Sequence, residues 1–458
     1  MLKITYLFHS GFAIETSGSI LIFDYWMDPS HAVATLLQSP KPFYVFASHF
    51  HEDHFAPAIL EWRKTRGHIT YLLSKDILRH RRAQKEDADV WLAKGGSWTD
   101  GTLSVHATGS TDSGVSWVVE TEGLRLFHAG DLNNWYARFL PDASPGEIIH
   151  SEEMDEDVDP IQHEKRYLGE LKDIRKLGHR FDVVMFPVDG RIGNGYTLGG
   201  RQFLERFDVG LFVPMHFAGS GFESAWRFRE FAQARKVSFW EIQAEGDVIH
   251  VSHGGHRIIR PALLPSDGEA IMNLFAAARG IMVHSGNTQQ WNNGYPNLQV
   301  VASDIERSGA YLIADDNRPT GYFAFLPSPD PTYRLIYEGH WRDDSLPYCV
   351  IHRIASLPEA HGIFSTIIKF ALTLCPNLRM DTHRDNLIMQ HLLKQHGFSY
   401  CGIIHLASGD ERLAYQLLAP PASRRRTGRN LLIPNKQLKA TPKFTKSSTI
   451  RTLLINNE

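Results

Sequence analysis

Three imidazoles and two carboxylates fall within six positions in Ser48-His49-Phe50-His51-Glu52-Asp53-His54, directly after an apolar run. In a core each of these groups would need a partner of its own. In a loop at a strand end they can converge on one point, and neutral imidazole nitrogen with carboxylate oxygen suits zinc and similar divalent ions. Two later positions repeat the placement. Asp131 closes His128-Ala129-Gly130-Asp131 after an apolar strand, and His216 ends Val213-Pro214-Met215-His216 after another. An exposed polar loop accounts for any one of these segments, but not all three. Together they put ligand-type residues beyond the carboxyl ends of three strands, where α/β folds hold ligands. A divalent ion lowers the pKa of a bound water from 15.7 towards ~7 and polarises a carbonyl or phosphoryl oxygen. Asp53 or Asp131 could orient such a nucleophile. His9, Asp24, Trp135, Asp189 and Arg191 fall in segments expected to rim the cleft. Arg191 suits an anionic substrate group, and a surface arginine without a role is an equal reading.

The elements that must carry these residues alternate short apolar strands with polar helical stretches. Strands are expected at 2–8, 12–15, 20–23, 43–48, 103–107, 183–187 and 209–214, with a hairpin of 114–120 and 124–128 around Thr121-Glu122-Gly123. Helices are expected at 162–176 and 223–234. The acidic run 152–159 reads as a solvated loop, a metal role being the lesser alternative. After His253-Gly254-Gly255-His256 a fresh strand-and-helix series begins and runs to 417, long enough for its own core. The chain therefore divides into residues 1–256, residues 257–418 and a basic tail at 419–458, which reads as disordered.

Composition narrows the classes. The chain has 458 residues, 43% hydrophobic and 22% charged, with a formal charge of −3, so it is globular and has no overall attraction to nucleic acid or an anionic membrane. Nine of the Lys/Arg residues and one acid lie in 419–458, which leaves the body acidic. No apolar run approaches the ~20 residues of a membrane span. The start does not have the layout of a signal peptide. Three widely spaced cysteines, Cys349, Cys375 and Cys401, make no disulfide framework and fit a reducing cytoplasm.

Residues 1–252 resemble the metallo-β-lactamase superfamily, whose H-x-H-x-D-H motif stands here as His49, His51, Asp53 and His54. His9-Ser10-Gly11-Phe12, Asp24 and the His-Ala-Gly-Asp segment resemble its lactonase-like branch of small metal-dependent hydrolases. The resemblance implies an αββα sandwich with one or two divalent ions, zinc first, with manganese or iron as alternatives. It implies that His49 and His51 bind one ion, that Asp53, His54 and His216 bind the other, and that Asp131 bridges. One position departs from the pattern: the loop 108–114 lacks the family's third histidine for the first ion. Asp112 could replace it, His106 lies slightly early on its strand, and a water could fill the gap.

The second half carries Tyr348-Cys349-Val350-Ile351-His352-Arg353-Ile354-Ala355-Ser356 as a central strand. A turn, Leu357-Pro358-Glu359-Ala360-His361-Gly362-Ile363-Phe364, leads from it into a helix at 365–373. Such a turn can offer backbone N–H groups to a phosphate, although ordinary strand-to-helix connections look alike. With Asp385-Asn386…Met389…Leu392…Gly397-Phe398, the order resembles the GCN5-related N-acetyltransferase (GNAT) family. That implies a mixed α/β sheet splayed into a V, with acetyl-CoA in the V and its pyrophosphate at Ala360, His361, Gly362, Ile363 and Phe364, near Asn386. The turn is shorter than the family's, Phe364 stands where a small residue is usual, and the family's tyrosine acid appears as Leu393. Glu338, Tyr348, Cys349 and His352 are substitute acid or base candidates. For His352 and Cys349, a place in the core is the competing reading.

The fold class expected is thus α/β: a metallo-β-lactamase sandwich followed by a GNAT-type mixed sheet. The leading functional expectation is a cytoplasmic two-domain protein acting on small molecules, not at a membrane. It would join a metal-dependent hydrolase of an ester, lactone or phosphoester to an acetyl-CoA-dependent N-acetyltransferase. The alternatives are a GNAT half reduced to binding or scaffolding, and a nucleic-acid-processing nuclease. The acidic body argues against the latter.

Overall fold

The computed structural model describes residues 1–139, 159–217, 221–252 and 254–419. The basic tail beyond Ala419, His253, and residues 152–158 of the acidic run lie outside the described residues. Asp159 opens the Pro160–Lys176 helix, its carboxylate accepting from the N–H groups of Ile161 and Gln162.

Period-two alternation builds the first half. In β1 (Leu2–Phe8), Leu2, Ile4 and Tyr6 point one way and Leu7 the other. In β3 (Ile20–Phe23), Leu21 and Phe23 join the inner core while Ile20 and Ile22 face helices. β2 (Gly11–Glu15) lies between them, and β4 (Phe43–Ala47), β5 (Thr70–Ser74) and β6 (Val90–Leu92) continue the sheet in parallel from β3. The second sheet comprises β7 (Ser97–Thr99), β8 (Leu103–Gly109), β9 (Val115–Thr121), β10 (Leu124–His128), β11 (Arg180–Pro187), β12 (Asp208–Met215) and β13 (Ser238–Phe239), neighbours in that order. Its inner residues, Trp117, Leu126, Val184 and Phe212 among them, meet Phe12, Phe23 and Phe46 of the first sheet in one core. This is a sandwich of two sheets with helices outside. The helix expected at 223–234 is broken into Phe222–Trp226 and Arg229–Ala234.

β14 (Val248–Val251) returns to pair with β1, and β15 (Arg257–Pro261) pairs with β14 through His250↔Ile259 and Val251↔Ile258. From there the same sheet runs on through β16 (Ala310–Asp315), β17 (Arg318–Pro327), β18 (Cys349–Ser356) and β19 (Asn377–Thr382). β20 (Ser399–His405) and β21 (Glu411–Leu418) complete it in the order β19-β21-β20, giving fourteen strands. Both halves therefore share one continuous sheet within a single unit, Met1–Leu418. Ile258 and Ala314 of the second half belong to the first half's core. The Gly268–His284 helix covers one face of the second-half sheet, and the Ile363–Leu374 and Leu387–Gln395 helices cover the other. β18 and β19 pair only at Cys349↔Leu378 and Val350↔Arg379, then separate. Among the described residues no helix is long and apolar enough to cross a membrane.

Candidate metal centre

The histidine-rich motif turns tightly after β4, with the N–H groups of His54 and Phe55 both donating to the His51 carbonyl. Phe55 is buried and anchors the turn, while Glu52 points to solvent. Two glycines let neighbouring loops close on Ser48 and His49. A Cβ on Gly114 would collide with the Ser48 carbonyl, and one on Gly130 would crowd the Ser48 side chain. Both have positive φ, which favours glycine. His9, Asp24 and His216 also adopt left-handed backbone (φ 54, 40 and 66), a strain that proteins concentrate at functional sites. The His216 N–H bonds the His9 carbonyl, joining the β1–β2 turn to the end of β12.

Two clusters result. His9, Asp53, His54 and His216 each place a ligand atom within 4.8 Å of the others, and so do His49, His51, Asp112 and Asp131. Asp131 lies between them. Its Oδ2 is 3.3 Å from His49 Nε2, and its Oδ1 is 3.0 Å from His54 Nε2 and 3.3 Å from His216 Nε2. Asp112 stands where the third histidine is missing, 3.8 Å from His51 Nδ1. The donor set fits divalent ions. His54 Nε2 and Asp131 Oδ1 are buried and face each other without the alignment of a hydrogen bond, as atoms sharing a cation would.

Three residues expected at the rim stand elsewhere. Asp24 is fully buried behind the centre, taking a 2.7 Å hydrogen bond from His54 Nδ1 and bonds from the Ser48 N–H and hydroxyl. Asp189 does the same for His216 Nδ1 at 2.9 Å. Each fixes its imidazole so that Nε2 faces inward, the carboxylate–histidine arrangement of metal sites. His9 is inside the cluster of Asp53, His54 and His216, 3.3 Å from Asp53. The sequence signal missed was the position of Asp24 and Asp189 at strand ends, which fits a supporting residue as well as a cleft residue. Trp135 and Arg191 do flank the site. The Trp135 ring lies 5.1 Å from His216, and half-exposed Arg191 holds both Asp189 oxygens.

Charge follows geometry. Burial disfavours a charged His54, but Asp131 and Asp24 outweigh it and raise the ring well above its usual value. Burial likewise opposes ionisation of Asp131, yet His54, His216 and His49 hold it well below the carboxylate range. Burial pushes His9 down to about 4. The carboxylates put negative charge where a cation would sit, and an ion bound there would take the place of the proton that Asp131 and Asp24 favour on His54.

In the second half, a cavity of about 550 Å³ opens where β18 and β19 separate, and Ile351, His352, Asp381 and Asn386 line it. His352 Nε2 lies 3.1 Å from Asp330, and its Nδ1 3.8 Å from Asp381, which Tyr333 also bonds at 2.6 Å. A second cavity of about 320 Å³ is lined by Ala360, His361, Gly362, Ile363 and Phe364, with Asn386 shared between the two. The expected acid-base candidates part company here. Tyr348 is drawn off towards Arg379, and Cys349 lies against the helix-side core with Cys375. Glu338 is exposed and lines neither cavity. Asn386 caps the Leu387–Gln395 helix and donates to Gln290. Phe364 turns into the core beneath the groove, and Leu393 is buried there too. Asp330 was not foreseen, because an aspartate before proline in a loop reads as turn chemistry.

Residues 3–138 match the family model of the beta-lactamase superfamily domain. A UPF0173 metal-dependent hydrolase of Opitutus terrae is 25% identical over 271 residues, which cover 55% of this chain and 100% of that protein. Another, from Thermococcus kodakarensis, is 27% identical over 230 residues, 47% of this chain and 85% of its own. A GNAT-family acetyltransferase structure from Streptococcus agalactiae is 34% identical, covering 36% of this chain and 96% of that one, with a TM-score of 0.34. The chain is an α/β protein, a two-sheet sandwich whose residues 3–138 match the beta-lactamase superfamily domain, continued by a mixed sheet. Its first half is similar to these metal-dependent hydrolases, with residues 3–138 carrying the match to the beta-lactamase superfamily domain.

Proposed function

We propose that the first half hydrolyses a small ester, lactone or phosphoester with one or two divalent ions, zinc first among them, and that the second half transfers acetyl from acetyl-CoA to an amine. The sharing of Asp131 between two ligand clusters carries the first reading. When bound, the ions would supply Lewis acidity and an acidified water. The chain's own residues do the rest. Asp24 and Asp189 hold His54 and His216 in the binding tautomer, and Asp53, partly exposed beside His9, is placed to take up the proton released as water attacks. Arg191 stands where a negative group on the substrate would pass. A carboxylate in place of the third histidine makes the His49–His51 position harder, which suits manganese or iron there as well as zinc.

For the second half, the cavity in the strand V supports the reading. With His352 Nε2–H donating to Asp330, Nδ1 is left as the basic nitrogen. It would take one proton from the ammonium. The amine then forms a C–N bond to the acetyl carbon as the C–S bond breaks, and its second proton goes to sulfur. The backbone around Gly362, at the start of the Ile363–Leu374 helix, would receive the pyrophosphate. Three unpaired thiols favour a cytoplasmic setting. Full-length protein should be assayed for bound metal and screened against lactones and phosphodiesters with and without chelator, and titrated with acetyl-CoA by calorimetry. Chelator-insensitive hydrolysis would reject the first reading, and absence of acetyl-CoA binding the second.

A further inference from the structure

On the face of the second-half sheet that carries His352, Arg379 projects from β19 and is fully buried. Its guanidinium lies between the Trp341 and Tyr348 rings, 4.0 and 3.8 Å from their centroids. Only Nη2 has hydrogen-bond partners, the Asp343 carbonyl and the carboxylate of exposed Asp344. Nε and Nη1 are buried without one. Two unsatisfied donors on a buried cation are costly, and a fold keeps them where something completes them. Arg379 lines a cavity of about 640 Å³, which shares Asp330 and Thr332 with the cavity holding His352. Val350 pairs with Arg379, and His352 lies two residues further along β18, so the two sites are roughly 7 Å apart along the strands.

We propose that this cavity receives an anionic group, carboxylate or phosphate, on the acetyl acceptor, whose amine lies by His352, Asp330 and Asp381. The proposal rests on the acetyltransferase reading of this half. The planar guanidinium is held by its two rings with Nε and Nη1 unpaired and Nη2 shared with exposed Asp344, so an oxyanion that displaces Asp344 would bridge Nη2 and one of its two neighbours in bidentate fashion. The amine end meets two carboxylates. A substrate with opposite charges a few bonds apart satisfies both ends, whereas a diamine would bring a second cation to Arg379.

Calorimetry on the full chain tests this with 4-aminobutyrate, O-phosphoethanolamine and 1,4-diaminobutane. The two anionic amines should bind at least about tenfold tighter than the diamine, and the better of them identifies the anion. Arg379→Gln should remove that advantage. Asp344→Ala should raise affinity for the anionic amines, because it frees Nη2; a purely structural Arg379–Asp344 pair would give no gain. That opposite sign keeps the test decisive if Arg379→Gln does not fold. Equal or tighter diamine binding, no binding of either anionic amine, or an Asp344→Ala variant without gain overturns the proposal. Acetyl-CoA titrated separately distinguishes the two failures. Cofactor binding without the anion preference sinks only the site at Arg379, and the preference without cofactor binding sinks only acetyl transfer.

Discussion

The metal centre and the V of the second-half sheet solve positioning in different ways. The first is made by side chains. Seven ligand-type residues from loops far apart in sequence, His9 to His216, converge around Asp131, and buried carboxylates behind them set the ring orientation. The second is made largely by where two strands part and where a helix begins, with few side chains committed. A site written in ligands leaves a mark in residue types. A site written in backbone leaves one only in spacing. The largest test of this contrast is Asp131→Asn. It should strip metal from both clusters and lower hydrolysis by roughly a thousandfold, several kcal/mol of lost Lewis-acid stabilisation. Acetyl-CoA binding should be untouched. Elemental analysis and calorimetry on the one variant read both halves, and a parallel loss of cofactor binding would mean that the centre supports the whole sheet.

Asp24→Asn and Asp189→Asn probe the layer behind the ligands. Each keeps volume but removes the charge that fixes the imidazole, and each should weaken metal binding by about 10–100-fold. Asp112→Ala should act on the His49–His51 cluster alone, because His51 and Asp112 are solvent-exposed while His54 and His216 are buried. Dialysis against mild chelator should leave wild type nearer one ion than two, and two equally retained ions would remove the asymmetry.

These outcomes bear on what the sequence alone can reveal. The ligand motif and most strands of the sandwich were legible, because clustered histidines and short apolar runs bounded by polar turns have few other placements, whereas β5, β6, β7 and β13 were not expected. The roles of Asp24 and Asp189 were not, since a carboxylate at a strand end can face a ligand or support one, and only burial decides. Joining of the two halves into one sheet was also hidden. Its cause is a pairing of two residues on either side of a Gly-Gly turn, where the sequence shows only a break in texture. In the second half, Glu338 and Cys349 were plausible by type, yet one is exposed in a loop and the other faces the core.

Gly362→Asp sharpens the backbone side of the comparison. Gly362 has φ 73 at the start of a twelve-residue helix, so a side chain adds strain, and a carboxylate there adds repulsion towards phosphates. Acetyl-CoA affinity should fall about tenfold, while Phe364→Leu, which alters a buried ring, should mainly lower the melting temperature. If Gly362→Asp binds acetyl-CoA as wild type does, the pyrophosphate lies elsewhere.

The smallest expected effect lies where the two regions meet. His250 on β14 is buried between Lys3 across β1 and Ile259 across β15, edge-on to Phe370 at 4.8 Å, and burial pushes it down to about 4. Lys3 and the amino terminus act in the same direction. An unfolded histidine titrates near 6.5, so on acidification the unfolded chain takes up the proton first. Stability is therefore complete above pH 6.5 and falls as pH drops from 6.5 to 4. The loss should be about 1 kcal/mol at pH 6 and about 2 kcal/mol at pH 5. His250→Phe should flatten this slope without changing metal content at neutral pH. We propose the boundary of the two halves between residues 256 and 257, and calorimetric melting checks it. Acid should split one transition into two if His250 guards the junction between separable halves. A single transition that shifts as a unit would show that the shared sheet makes the whole of Met1–Leu418 one cooperative body.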